Sequence, residues 1–312
     1  MGTSYDGKTV LVTGAAGFLG SHLSGRLLAE GARVVGVDNL TFARPDWSAE
    51  LGERFQAAPI DLRQGEQLKA LFDATKPDTV FHLAAIANPR TCKSDFPLAF
   101  EVNVVGTQQM LRYSPPAARF VFMSSAAVYG APEYLPIDER HPRKGSDPYS
   151  VTKIIGEDLV NSYALNQNRN VAVVRNFNSF GVGQTGDYIV PQLIRQALTE
   201  KKIELWDPST VRDLMYVDDT VEALMVIAAS TERGPINIGA GRGITVGDLA
   251  QKIASRLGGG IEVLDLKKKV VGSPALVSNN EKLIGLHWKE RVGFEQGIDR
   301  TIEWTRARLA AA

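Results

Sequence analysis

The chain has one cysteine, Cys92, in 312 residues. No internal disulfide and no cysteine-rich metal centre can form, and a small packed thiol in a reducing compartment is the simplest reading. Histidines are also few: His22, His82, His141 and His287 are scattered without metal-ligand spacing, so no metal is expected. Net charge is missing as well. The 35 basic residues balance 35 acidic ones, which leaves no broad electrostatic footprint for nucleic acid or an anionic membrane. Any anionic ligand has to be held locally. No apolar run approaches the roughly 18 residues that span a bilayer, and the opening MGTSYDGKTVLVTG lacks a signal-peptide core, so a soluble, cytoplasmic protein is expected.

What is present is an ordinary globular composition, 44% hydrophobic and 22% charged, in a chain long enough for a sizeable core and one or two domains. Short β-branched runs at Val10 to Thr13, Val34 to Asp38, Val80 to Ala85, Phe120 to Ser124 and Val171 onward alternate with turns and helical stretches. That alternation predicts βαβ units and a doubly wound parallel sheet of the Rossmann type, covered on both faces. From Asn176 the sequence becomes rich in turns, and RDLMYVDDTVEALMVIAAS then reads as a strand and a long helix of the first architecture. The expected division is therefore a dinucleotide-binding domain of residues 1–175 and 212–239, with a smaller discontinuous α/β domain of residues 176–211 and 240–312.

Gly14, Gly17 and Gly20 follow the first strand and open the first helix in VTGAAGFLGSHL. Backbone N–H groups at such a helix N-terminus, unobstructed by side chains, suit a pyrophosphate, although the first interval departs from G-x-G-x-x-G and tight helix–strand packing would also ask for glycine. Asp38 closes the second strand about 20 residues on, where a carboxylate can accept hydrogen bonds from both ribose hydroxyls and repel a 2′-phosphate. The expected cofactor is NAD rather than NADP, with Arg44 as the one residue pulling the other way. Asp61 suits either a helix cap before GEQLKALF or a contact to the adenine amino group.

Tyr149 and Lys153 stand four apart in YSVTK, on one face of an expected helix that starts at Pro148. A tyrosine with an ordinary pKa near 10 is a poor base at neutral pH, and a neighbouring ammonium together with a positive nicotinamide ring would favour the phenolate.

These features combine with the ordered landmarks TGAAGFLG, VDNL, DL at Asp61, HLAA, VNVVGT, SSAAVYG, YSVTK, RNFNSFG, RDLMYVDD, NIG and NNEKLIGLHWK. Together they resemble, along nearly the whole chain, the extended short-chain dehydrogenase/reductase family and its nucleotide-sugar-modifying members. The resemblance implies Tyr149 as acid/base, Lys153 as the residue that orients ribose and assists the tyrosine, and Ser125 as the hydrogen-bond partner of the reacting sugar hydroxyl, with Ser124 on cofactor or backbone. It also implies a dinucleotide lined by Phe18, Leu19, Asn39, Leu62, Leu83, Ala84, Ala85, Asn103 and Phe177, where simple packing would explain the apolar positions equally. Asn178 and Arg212 fall where relatives hold a diphosphate; for Arg212 the plain alternative is an ion pair with Asp213 or Asp218. Gln184 and Tyr188 are further pocket candidates.

Relatives that eliminate water carry acidic residues just after the hydroxyl residue, because a carbon-bound proton needs a base and the leaving hydroxyl an acid. Here those places hold Ala126 and Ala127. The expectation is an NAD-dependent 4-epimerase acting on a nucleoside-diphosphate sugar through a transient 4-keto sugar, as a homodimer through helices spanning Ala99 to Tyr113 and Ser150 to Asn166. The alternatives are a keto-sugar reductase and a non-catalytic dinucleotide-binding protein. One departure concerns the substrate. Where related epimerases carry an Arg-x-Gly-Asp element, this chain has KKKVVGSPALVSNN, with Ser273 after Val271 and Gly272, and Lys267 to Lys269 as the nearby cations.

Overall fold

The computed structural model describes residues 5–41, 48, 51–184, 186, 188–268 and 273–311. Strands β1 (Thr9–Thr13), β2 (Arg33–Val37), β3 (Phe55–Ala58), β4 (Thr79–His82), β5 (Arg119–Ser125) and β6 (Val171–Asn176) come first, followed by β7 (Asn178–Phe180), β8 (Lys202–Leu205), β9 (Val211–Tyr216), β10 (Pro235–Ile238), β11 (Gly243–Thr245), β12 (Glu262–Asp265) and β13 (Ala275–Leu276). The helices are α1 (Phe18–Ala29), α2 (Gly65–Thr75), α3 (Pro89–Ser94), α4 (Phe96–Phe100), α5 (Gly106–Tyr113), α6 (Pro148–Gln167), α7 (Ile189–Glu200), α8 (Val217–Ala229), α9 (Val246–Arg256), α10 (Glu281–Gly285) and α11 (Gly293–Ala310). Between α4 and α5 the chain makes a π-helical turn over Glu101–Val105.

The order β10-β6-β5-β4-β1-β2-β3 builds a seven-stranded parallel sheet with helices against it, a Rossmann-like α/β fold. Its central strands read as unbroken apolar runs because both faces are covered; Val10, Leu11 and Val12 have no exposed surface. On one side Leu11, Val80, Phe120 and Phe122 pack with Leu68 and Phe72 of α2, Met110 of α5 and Val160 of α6. Each such side chain contributes about 1.5–3 kcal/mol by leaving water. Among the described residues no helix is long and apolar enough to cross a membrane.

The chain folds into two compact units. The first holds Met1–Val128, Arg143–Arg175 and Ala223–Ile236; the second holds Tyr129–Pro142, Asn176–Glu222 and Asn237–Ala312. The boundary differs from the expected one at residues 212–222 and 237–239. The strand in the first of these stretches, β9, does not join the large sheet but pairs with β7, β11 and β13 inside the second unit. Residues 129–142 also belong to that unit, where Ile137 bridges Ser278. The edge strand β3 is a further difference: Gln56 and Ala57 are exposed, and FQAA offers no β-branched run.

Candidate active site

The turn after β1 is shaped by two glycines. Gly14 has φ +69, and a Cβ there would sit 3.0 Å from the Ala84 backbone; at Gly20 a Cβ would come within 2.0 Å of the Gly14 carbonyl oxygen. The first demands a left-handed backbone and the second a close helix–strand approach. Gly17 is the exposed N-cap of α1, with no side chain closing the N-terminus. Phe18 and Leu19 are half-buried in the first turn. Asp38, just past β2, accepts from the N–H of Ala16 at 3.1 Å and from that of Leu40 at 2.8 Å, so its carboxylate is fixed against the glycine turn.

Asp61 does not cap the helix that follows: α2 begins at Gly65 with Gln64 as its N-cap. Its carboxylate instead accepts from Arg63 through Nε, Nη2 and the backbone N–H, each at 2.9 Å, and from Asn39 Nδ2 at 3.2 Å. These bonds stabilise the anion, and the hydrogen bond from Arg63 is the main cause that lowers Asp61 to about 2. Leu62 is buried beside it. Arg44 lies outside the described residues.

A chain of hydrogen bonds links the end of β1 to the start of α6. Thr13 Oγ1 accepts from the N–H groups of Leu83 and Ala84, both at 3.1 Å, so its single proton goes to His82 Nδ1 at 2.8 Å. The imidazole must then carry its proton on Nε2 and donate to Thr107 Oγ1 at 2.9 Å, while Thr107 donates to the Asn103 carbonyl at 2.6 Å. Burial, helped by Lys153, pushes His82 down to about 3, so it is neutral throughout the working range. Leu83, Ala84 and Ala85 are half-buried just beyond this link. Asn103, in the π-turn, is only 2% exposed and uses both amide hydrogens, on the Ile86 carbonyl and on Thr152 Oγ1, while Oδ1 accepts from Ile86 N. It therefore clamps two backbone segments. Thr152 in turn donates to the Tyr149 carbonyl at 2.7 Å.

Helix α6 starts with Asp147 as N-cap, accepting from the N–H groups of Tyr149 and Ser150, and Pro148 occupies the first turn. Tyr149 is half-buried against Ile86, Cys92 and Ala99. Lys153, one turn on, is 3% exposed; its Nζ donates to the Met123 carbonyl at 2.7 Å and lies 5.1 Å from the centre of the Phe122 ring. Burial pushes its ammonium down to about 8. The two serines at the end of β5 separate cleanly. Ser124 is buried and donates to Glu157 Oε1 at 2.6 Å, whereas Ser125 is half-exposed, its Oγ accepting from Ala127 N at 3.2 Å. Ala126 and Ala127 open a short 3-10 turn directly after them.

In the second unit, Phe177 is buried against the ring of Tyr129. Asn178 starts β7 opposite Leu214 of β9 and is half-buried. Arg212 donates through Nη1 to the carbonyls of Val211 and Ser273, and burial lowers its pKa. The ion pair with Asp213 or Asp218 does not form. Asp213 is buried and accepts from Ser278 and from the N–H groups of Ala240 and Gly241, and Asp218 reaches Arg300. Asp219, also buried, accepts from the N–H groups of Arg291, Val292 and Gly293 at the start of α11. These two acids are clips for loops distant in sequence, a role sequence reasoning missed. Gln184 donates to the Ser179 carbonyl, and Tyr188 is 41% exposed. Lys268 lies over the Trp206 ring, while Lys269, Val271 and Gly272 fall outside the described residues. His22 packs edge-on to Phe18, and His141 accepts from Glu133 N, both structural contacts.

The first unit's residues fit a dinucleotide: an uncapped helix N-terminus that glycines leave open, a carboxylate past the second strand, and a lysine one turn from a tyrosine. Such a set defines a dinucleotide-dependent enzyme of the extended short-chain dehydrogenase/reductase type. Residues 10–239 match the model of the NAD dependent epimerase/dehydratase family, and the chain belongs to that family, whose cofactor is NAD. It is 31% identical over 313 residues to the UDP-glucose 4-epimerase of Mycolicibacterium smegmatis, covering 95% of this chain and 98% of that protein. Among solved structures it is similar to an epimerase from Methanothermobacter thermautotrophicus, at a TM-score of 0.92 and 30% identity over 99% of this chain and 95% of the other. It is also similar to the UDP-glucose 4-epimerase of Thermus thermophilus in complex with NAD, at a TM-score of 0.86 and 29% identity, covering 96% and 99% respectively.

Proposed function

We propose that the protein is a nucleotide-sugar 4-epimerase that retains NAD, with a UDP-hexose as the first substrate to test. The observation that carries this reading is the end of β5, where the half-exposed hydroxyl of Ser125 is followed by Ala126 and Ala127 instead of acids, with Tyr149 and Lys153 on α6. Bound NAD would supply the reversible hydride acceptance at the sugar carbon. Tyr149 takes the proton of the C4 hydroxyl and returns it after the 4-keto sugar has turned over, so no net oxidation results. The ammonium of Lys153 favours the anionic form of its neighbour and offers donors to the nicotinamide ribose. Ser125 orients the reacting hydroxyl. Two carboxyl groups for removing a carbon-bound proton and a hydroxyl are not needed, and alanines at those places suit a reaction without elimination.

On the cofactor side, Gly14, Gly17, Phe18, Leu19 and Gly20 would meet the pyrophosphate, Asp38 the adenosine ribose, and Asn39, Asp61 and Leu62 the adenine, with Leu83 to Ala85 and Phe177 lining the remainder. Asn103 and Ser124 are assigned to holding this site together, since their side chains are committed within the protein. On the substrate side, Asn178 and Arg212 would bind the diphosphate. The Arg212 guanidinium donates to two carbonyls and feels the charge of Asp207 without a salt bridge to it, which leaves further donors for an anion. The assembly is a homodimer in the cytoplasm, formed through the helices spanning Ala99 to Tyr113 and Ser150 to Asn166; the exposed side chains of Phe100, Val105 and Leu165 support this reading.

The test is to incubate the purified protein with UDP-glucose, UDP-galactose, UDP-N-acetylglucosamine and UDP-glucuronate and follow the sugar ring by NMR. The expected product is the C4 stereoisomer of one of them, formed without added NADH. A 4-keto-6-deoxy product would identify a dehydratase, and turnover only with stoichiometric reduced cofactor a reductase; either result overturns the epimerase reading.

A further inference from the structure

Glu157 lies four residues beyond Lys153 on α6, on the same helical face. Both side chains reach the same strand end. Lys153 donates to the Met123 carbonyl at 2.7 Å, and Glu157 accepts from the hydroxyl of Ser124, the next residue, at 2.6 Å. Ser125 follows immediately. Gly156 permits this approach, because a Cβ there would lie 2.5 Å from the Phe122 ring. The carboxylate of Glu157 is 1% exposed and is gripped from the other side by Arg175, through Nε at 2.9 Å and Nη2 at 2.7 Å, and by Arg143 Nη1 at 3.3 Å. Arg143 also pairs with Asp158.

We propose that Glu157 is a positioning residue of the reaction: it fixes the strand end that presents Ser125 and supplies the negative charge that keeps Lys153 an ammonium beside Tyr149. The surroundings of Lys153 support the second half. Burial is the force that lowers its pKa, and Cys92 and Glu157 oppose it. Cys92, on α3, is itself pushed up to about 11 by burial, so at neutral pH its thiol carries no charge to offer. His82, on β4, is neutral, and β5 contributes the Met123 carbonyl and the face of the Phe122 ring, neither of them a full charge. Asp147, at the helix N-terminus, acts on Cys92. Among these groups Glu157 is the carboxylate that acts on Lys153. Its removal would also take this carboxylate from Arg175, while Arg143 keeps Asp158.

The kinetic part of this inference rests on the epimerase reading, so the primary test does not use turnover. Lysine labelled at Cε and Nζ is followed by NMR across a pH series in the NAD-loaded protein, with Lys153→Met identifying the resonance. Glu157→Gln is expected to lower the Lys153 midpoint by about one unit or more, a tenfold loss of ammonium above the midpoint, and Glu157→Asp to restore most of it. The alkaline limb of kcat should move the same way, whereas a purely structural role would reduce the active fraction without moving either midpoint. Should Glu157→Gln fail to fold, Glu157→Gln/Arg175→Gln, which removes both buried charges, is expected to show a smaller fall in the same direction. A midpoint that stays within about 0.3 unit of wild type or rises, in whichever variant folds, overturns the proposal. If no nucleotide sugar is converted by the wild-type protein, the epimerase reading fails and the lysine titration still decides this one.

Discussion

The end of β5 with α6, in the first unit, and the β7–β9 region of the second unit handle their polar groups in opposite ways. In the first, nearly every polar side chain is already spoken for: Thr13, His82, Thr107, Asn103 and Thr152 form one run of hydrogen bonds, and Ser124, Glu157 and Arg175 another. In the second, Arg212 spends one nitrogen on carbonyls, and the Gln184 Oε1 acceptor has no partner among the described residues. Saturated networks hold geometry before any ligand arrives, which is what proton transfer requires. The remaining N–H donors of Arg212 are what a bound anion would complete. Under the proposed function chemistry belongs to the first region and substrate recognition to the second, and mutations can break that division.

The largest effect is expected at Tyr149. Tyr149→Phe removes one hydroxyl from a half-buried ring, so folding and NAD retention should be near normal while turnover falls about 10²- to 10⁴-fold, the range for loss of a general acid/base. Residual turnover near wild type, measured on the same nucleotide sugar, would move the chemistry away from α6.

Lys153→Met probes how dry that region is. The ammonium titrates near 8 in the folded protein against 10.5 when unfolded, so between those values the unfolded chain binds more protons and wild-type stability rises with pH. Below about 8 the full cost of burying the charge is present, and above 10.5 it has vanished. The shift corresponds to on the order of 3 kcal/mol. Urea unfolding at several pH values should therefore show the wild type gaining on Lys153→Met by about 2–3 kcal/mol from neutral pH to beyond 10. A constant difference would mean that the lysine is hydrated.

The two regions also differ in how far the sequence discloses them. The parallel sheet was readable because Val10 to Val12 and Val34 to Val37 are β-branched runs buried on both faces, and the tyrosine and lysine because four residues make one helical turn. Strand β3 was not, since half of it faces solvent. The strand of β9 was legible but its partners were not: Leu214, Met215 and Tyr216 announce burial, and nothing local distinguishes one sheet from another. Asp213 looks like a partner for the neighbouring Arg212, yet it serves backbone as far as residue 278, and Asp219 serves backbone as far as residue 293. Glu157 is hidden for the same reason. A glutamate in a helix reads as surface until strands β5 and β6 close over it with Ser124 and Arg175.

Arg212→Met tests the open donors. A hydrogen bond to a charged group is worth about 1.5–3 kcal/mol, so KM for the nucleotide sugar should rise roughly 10- to 150-fold. NAD content and kcat should stay within a few-fold of wild type. The opposite split, a fall in kcat at unchanged KM, would transfer Arg212 from recognition to catalysis and erase the contrast between the regions.

The smallest effect is expected where a polar cluster of the first unit meets water. Arg63 and Asp61 form a well-aligned pair, with side-chain exposures of 41% and 17%. Asp61 is held at about 2 against an ordinary 3.8, so the stability it brings is complete above 3.8 and is lost as pH falls towards 2. Solvent screens a half-exposed guanidinium, and Arg63→Ala should cost only about 0–1 kcal/mol at pH 7. The variant's deficit should shrink further as the pH drops below 4, because protonated Asp61 no longer rewards the arginine. A deficit of several kcal/mol that ignores pH would mean that the cluster is as dry as the interior around Lys153, and that the saturated region extends out to the adenine end of the site.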